Sequence, residues 1–128
     1  MGSLTDTPAP ADRTSTVALE ISAEVIGKYA VITNDFNPIH VDPAFAATTP
    51  MKGVIAHGTM SLALIWQMLR REFGAARCAS ATLDIRFTKP VRIGDRLTAR
   101  HDPQDGVGFA VWVENQDGDP VIKGSAKL

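Results

Sequence analysis

Hydrophobic positions change their period several times along the chain, and each change marks an expected element. Residues 1–13 (MGSLTDTPAPADR) have no apolar period and read as a flexible N-terminal tail ahead of one domain over residues 14–128. From Thr14, Val17, Leu19 and Ile21 alternate with Thr16, Ala18 and Glu20, the pattern of a half-buried strand. Ser22 stands at an N-cap position, and Val25, Ile26, Tyr29 and Ile32 follow at helical spacing as far as Asn34. Asp35 to Val41 is expected to be loop, because Pro38 excludes a helix interior and biases Asn37 toward extended backbone. Asp42-Pro43 combines an N-cap with proline at the first helical position and starts a short helix through Ala47. Thr48 to Ala56 is irregular, with Pro50 and Gly53 as breakers.

Thr59 to about Phe73 is the dominant helix. Met60, Leu62, Ala63, Leu64, Ile65, Trp66, Met68 and Leu69 cover nearly its whole circumference, so burial on most sides is expected, with Gly74 as its stop. The rest reads as sheet. Leu83, Ile85 and Phe87 alternate with polar neighbours; after a turn at Ile93-Gly94-Asp95, so do Leu97 and Ala99. Val107, Phe109, Val111 and Val113 follow a turn over residues 102–106, and a last strand runs from Val121 to Leu128 beyond Asn115-Gln116-Asp117-Gly118. The fold class is therefore α+β, a five-stranded antiparallel sheet joined by short hairpin links around one apolar helix. Such a sheet leaves part of the helix open, and a second subunit is the simplest cover.

Composition narrows the function classes. Hydrophobic residues make up 45% and charged residues 21% of the 128-residue chain, as in ordinary folded proteins. A net charge of -1 gives no electrostatic case for nucleic acid or an anionic membrane surface. One cysteine, Cys78, rules out a disulfide framework and a Cys-based zinc site and suits a reducing cytoplasm. No basic n-region or apolar h-region opens the sequence, so no secretory signal is expected.

Candidate chemistry gathers between Thr33 and Leu64. Asp35 and His40 stand five residues apart across Asn37-Pro38, and together they can hold a water and move its protons. His57-Gly58 opens the apolar helix, where a backbone amide can hold a developing oxyanion. Asn37 is placed to tie the loop through side-chain-to-backbone bonds, and Ser61 either lines the site or packs on the sheet. His57 is also of the right type to complete a two-His-one-carboxylate metal triad with Asp35 and His40. His101 takes no role. Arg86, Lys89, Arg92, Arg96 and Arg100 read as a solvated outer face or as contacts for an anionic carrier.

Together, TNDFNPIHVD and GVIAHGTMSLAL closely resemble the (R)-specific enoyl-CoA hydratases and MaoC-like dehydratases of the hot-dog fold, and FTKPVRIGD looks like their following strand and turn. The resemblance spans about residues 15 to 128. Asn34 departs from it, standing where the family usually has Gly; Asn is the next most tolerant residue if that position needs a positive φ. The resemblance implies reversible hydration of a trans-2-enoyl thioester to an (R)-3-hydroxyacyl thioester, with acyl-CoA preferred over an acyl-carrier-protein thioester. Asp35 and His40 would hold the water as a coupled pair, with base and acid unassigned. The Gly58 amide would form the oxyanion hole, with Asn37, His57 and Ser61 in support. The resemblance also implies a metal-free site without a cofactor beyond the coenzyme A of the substrate, and a homodimer formed by joining two sheets edge to edge. A hot-dog thioesterase is disfavoured, because those enzymes commonly carry an acid within the central helix and here none precedes Glu72. A supporting subunit of a heteromeric dehydratase is the remaining alternative.

Overall fold

In the computed structural model, which describes residues 17–104 and 108–128, the chain begins with β1 (Ala18–Glu20) and α1 (Ala23–Thr33). Two short helices follow, α2 (Pro38–Val41) and α3 (Pro43–Ala47), and then the long α4 (Gly58–Phe73) and a single turn α5 (Ala75–Cys78). The strands β2 (Thr82–Phe87), β3 (Arg96–Pro103), β4 (Gly108–Glu114) and β5 (Pro120–Lys127) complete one five-stranded antiparallel sheet in the order β1-β3-β4-β5-β2. The stretch read as a tail, and Val107, lie outside the described residues.

Local chemistry explains most boundaries. The Ser22 side chain accepts from the Val25 amide at 3.0 Å and caps α1, while Gly74, at φ 85°, ends α4. Asp42 caps α3 by accepting from Phe45 N at 3.1 Å. One expectation fails at α2. Pro38 does not break a helix there but starts one, because it occupies the first helical position, where no amide hydrogen is needed. The turn at Gly94 has φ 98°, and Asp95 accepts from the Arg92 amide at 2.9 Å.

α4 packs against β3, β4 and β5. Met60, Ser61, Leu64, Ile65, Met68 and Leu69 form its buried stripe, facing Leu97, Ala99, Val111, Val113 and Ile122. Each large side chain buried there contributes roughly 1.5–3 kcal/mol. The opposite side is open in the single chain: Thr59, Ala63, Gln67 and Arg70 are exposed and Trp66 is half-buried. This is the part of the helix that one sheet was expected to leave open: Ala63 is apolar yet exposed, and Trp66 is only partly covered by this chain. No helix among the described residues is long and apolar enough to cross a membrane.

The strand order is the second correction. A direct β2–β3 hairpin would follow from the short link, but β2 pairs with β5 at the far edge of the sheet. The chain from Thr88 to Asp95 must therefore pass the ends of β5 and β4, about 14 Å at ordinary strand spacing. Thr88 stays bonded to β5, donating its amide to Val121 O at 2.9 Å and its hydroxyl to Pro120 O at 2.7 Å; then Pro90, lacking an N–H, ends the pairing.

β2 lies so close to β5 that Gly124 admits no side chain. A β-carbon there would collide with the Asp84 carbonyl oxygen and stand 2.7 Å from Ile85 Cα, both backbone atoms. Gly124→Ala should therefore lower the unfolding free energy by about 1–3 kcal/mol, read as a shift of the urea midpoint at constant slope. An unchanged midpoint would show that β2 can withdraw without loss.

Candidate active site

The site begins where α1 ends. Asn34 adopts the left-handed conformation at φ 54° and ψ 39°, and its amide donates back to Ala30 and Val31 carbonyls. The chain thereby reverses, and the Asp35 amide returns to Ala30 O at 3.0 Å. Asp35 Oδ1 accepts from Asn37 N at 3.2 Å, and Asn37 Oδ1 accepts from Ile39 N at 3.1 Å. Asn37 is thus the N-cap of α2, and this single turn fixes the spacing between Asp35 and His40.

The histidines are fixed by carbonyls. His40 Nδ1 lies 2.7 Å from Ile55 O, and because a carbonyl only accepts, Nδ1 carries the proton and Nε2 holds the free lone pair. His57 Nε2 donates to the backbone carbonyl of Asp35 at 3.0 Å, so the helix start is tied to the loop after α1. The two imidazoles stack at 4.0 Å between centroids and 28° between planes, and Tyr29 meets His57 edge-on at 5.0 Å. The Tyr29 hydroxyl donates to Thr59 Oγ1 at 2.8 Å, a second tie between α1 and α4.

A carboxylate oxygen of Asp35 and one nitrogen from each ring lie within 4.8 Å of one another. The proximity invites a metal, but the stacking opposes it: lone pairs in two nearly parallel rings run side by side instead of converging on one point.

Gly58 is the first residue of α4, with its amide unused by the helix. The crossing segment after β2 encloses this end. Ala56 N donates to Val91 O at 2.9 Å, and Ile55 forms an antiparallel bridge with Arg92. Lys89 Nζ reaches Asp119 at 2.8 Å, a bond that raises the ammonium's pKa and ties the segment to the β4–β5 turn. The result is a pocket of about 370 Å³. His40, Gly58 and Ser61 face it from one side, and Ile55, Phe87, Val91 and Val121 supply apolar walls.

The structure therefore brings His40, Gly58 and Ser61 to one cavity. Ser61 is 1% exposed, belongs to the buried stripe of α4 and also borders the cavity, and its hydroxyl has no partner among the described residues. Asp35 is exposed and does not line the pocket wall itself; it stands beside His40 and His57. His57 is buried as an anchor. Glu72 is taken up by His101 at 3.2 Å at the far end of α4. Arg96 pairs with Glu20 at 3.6 Å. Arg100 pairs with Glu114 at 3.0 Å, whose carboxyl is held below its usual range first by the Trp112 indole N–H and then by Arg100. The residues that sequence reasoning missed are Ile55, whose carbonyl selects the His40 tautomer, and the walls Val91 and Val121. No local pattern marks them, because the crossing segment alone makes them neighbours.

Comparisons with known proteins place the chain in a family. The family model of the MaoC like domain matches residues 6–121. The (R)-specific enoyl-CoA hydratase of Aeromonas caviae is 35% identical over 77 residues, covering 60% of this chain and 58% of that protein. The 3-hydroxybutyryl-CoA dehydratase of Methylorubrum extorquens is 40% identical over 76 residues, 59% of this chain and 48% of that protein. The aligned chain thus spans about half the length of these curated relatives. Among solved structures, the unliganded R-hydratase of Pseudomonas aeruginosa superposes with a TM-score of 0.68 at 33% identity over 85% of this chain and 74% of that one. The fold is the hot-dog α+β arrangement.

Asn34 tests how the loop is held. Its φ of 54° is open to glycine and closed to β-branched residues. Asn34→Gly should leave the melting temperature nearly unchanged, whereas Asn34→Val should cost about 1–2 kcal/mol in thermal or denaturant unfolding. Equal stability of the two variants would mean that the turn has another conformation open to it.

Proposed function

We propose that this chain, which belongs to the MaoC-like domain family, adds water reversibly to a trans-2-enoyl thioester to give the (R)-3-hydroxyacyl thioester. The observation that carries this reading is the pocket in which a histidine with a fixed, free Nε2 faces the unused amide at a helix start. Coenzyme A is the carrier favoured over an acyl carrier protein, a choice supported by the coenzyme A thioesters that the enoyl-CoA hydratase and 3-hydroxybutyryl-CoA dehydratase relatives are named for.

In the forward direction a water sits between Asp35 and His40. Asp35 accepts one of its hydrogens and aims the oxygen at carbon 3. His40 Nε2 takes the other hydrogen as the C3–O bond forms. The electron pair of the C2=C3 bond moves through carbon 2 to the thioester oxygen, where the Gly58 amide and the α4 dipole hold the charge. The proton then passes from His40 to carbon 2, the enolate collapses, and one water has been added with no other reactant. Dehydration runs the same path backwards. The Ile55 carbonyl keeps Nδ1 protonated throughout, so only Nε2 exchanges protons. Ser61, without a partner among the described residues, offers its hydroxyl to the substrate oxygen. The proposed chemistry uses neither a metal nor a cofactor.

The pair should act as a unit. Asp35→Asn and His40→Ala should each lower kcat by on the order of 10²–10⁴, followed as loss of the conjugated enoyl absorbance. The double variant should be little worse than the poorer single one. In deuterated water the product should be (R)-3-hydroxy with the new deuteron on carbon 2. An (S) product, or full activity in both single variants, would sink the mechanism; loss of activity on chelation would revive a metal.

The working form is a homodimer. The six-residue outer edge of β2 has no strand partner among the described residues, while the open side of α4 exposes Ala63 and part of Trp66. Pairing two β2 edges continues the sheet and brings the two open helices to one side. Sedimentation should give twice the chain mass; a stable, fully active monomer would refute the arrangement.

A further inference from the structure

Phe87 is the last residue of β2 and lies on its inward-pointing register with Leu83 and Ile85, yet it is 57% exposed. Leu83 and Ile85 pack against the core. Phe87 stands past its end, over the start of α4. A β-carbon built on Gly58 would lie 2.9 Å from Phe87 Cε1 and 3.2 Å from Cζ, tighter than ordinary contact. Gly58 does not have the positive φ that would itself call for glycine. The glycine is there for room, and what fills the room is the Phe87 ring. That ring borders the same cavity as His40 and Ser61.

We propose that Phe87 seats the substrate: its ring, standing beside Gly58, packs against the flat, conjugated C2=C3–C=O segment, making it a specificity residue for unsaturated over saturated thioesters. The proposal rests on the reading of this pocket as an enoyl-thioester site. A planar, polarisable π segment gains more from an aromatic surface than a staggered saturated chain does.

Binding can be measured without turnover in an Asp35→Asn background, by calorimetry with trans-2-butenoyl-CoA and with butanoyl-CoA. With Phe87 present the unsaturated thioester should bind more tightly. Phe87→Leu keeps bulk but removes the π surface; it should weaken trans-2-butenoyl-CoA about three- to tenfold and leave butanoyl-CoA nearly unchanged, erasing the preference. Phe87→Ala should weaken both. In the active enzyme Phe87→Leu should raise KM more than it lowers kcat. The proposal is overturned if Phe87→Leu weakens both thioesters equally or neither, if the parent shows no preference, if neither ligand binds, or if the variant changes the sedimenting mass, which would make Phe87 an interface residue. A parent that binds with the expected preference while the Asp35 enzyme hydrates nothing would defeat the hydratase reading and leave the role of Phe87 standing.

Discussion

The carbonyl of Ile55 is where three distant segments are brought into register. It accepts from His40 on the loop after α1, it belongs to the residue that bridges Arg92 on the crossing segment, and it lies just ahead of the His57-Gly58 start of α4. A hydrogen bond of this kind contributes only about 0.5–1.5 kcal/mol to stability. Its chemical consequence is larger, because it decides which imidazole nitrogen keeps a lone pair. If the crossing segment were displaced, Ile55 would lose its bridge, and the proton on His40 would lose its fixed position.

The topology makes that bridge possible. Because β2 pairs with β5 and not with its sequence neighbour β3, the link between them must run across the ends of the inner strands. A tight hairpin would have left the start of α4 bare. The longer path instead lays Thr88 to Arg92 beside Ile55 and Ala56 and walls the pocket with Val91. Gly124 is the condition for it, since β2 can reach its place only against a residue without a side chain.

This division also explains what was legible in the sequence. Alternation and helical spacing depend on neighbours along the chain, so the five strands, α1 and α4 could all be read. Asn34 was readable as a residue that tolerates the left-handed region, and it occupies that region. Asp35, Asn37, His40, His57 and Gly58 were readable because they lie in two short motifs. Pro38 was misread because the same residue that breaks a helix interior is favoured at its first position, and the pattern alone did not place the boundary. That part of α4 would stay open was readable, but which side was not, because periodicity reports hydrophobicity while burial depends on what lies opposite. The tautomer of His40 and the meeting of Phe87 with Gly58 depend on strand order, which no local period encodes.

Two polar atoms at this end of the molecule, His57 Nδ1 and Ser61 Oγ, are buried without a partner among the described residues. Each unmet group costs about 1–3 kcal/mol. Their origins differ. His57 must present Nε2–H to the Asp35 carbonyl, and a neutral ring then has a lone pair at Nδ1 that the apolar surroundings leave unmet. That loss is the consequence of anchoring the loop. Ser61 gains nothing comparable from the described residues, because its hydroxyl makes no bond among them while occupying the buried stripe of α4. An alanine would pack there at less cost, so the hydroxyl makes physical sense chiefly when the pocket is filled. The same reasoning covers Phe87, a large apolar ring left to water beside Gly58. Local costs that the empty fold does not recover thus converge on one cavity, where a bound ligand would offset them.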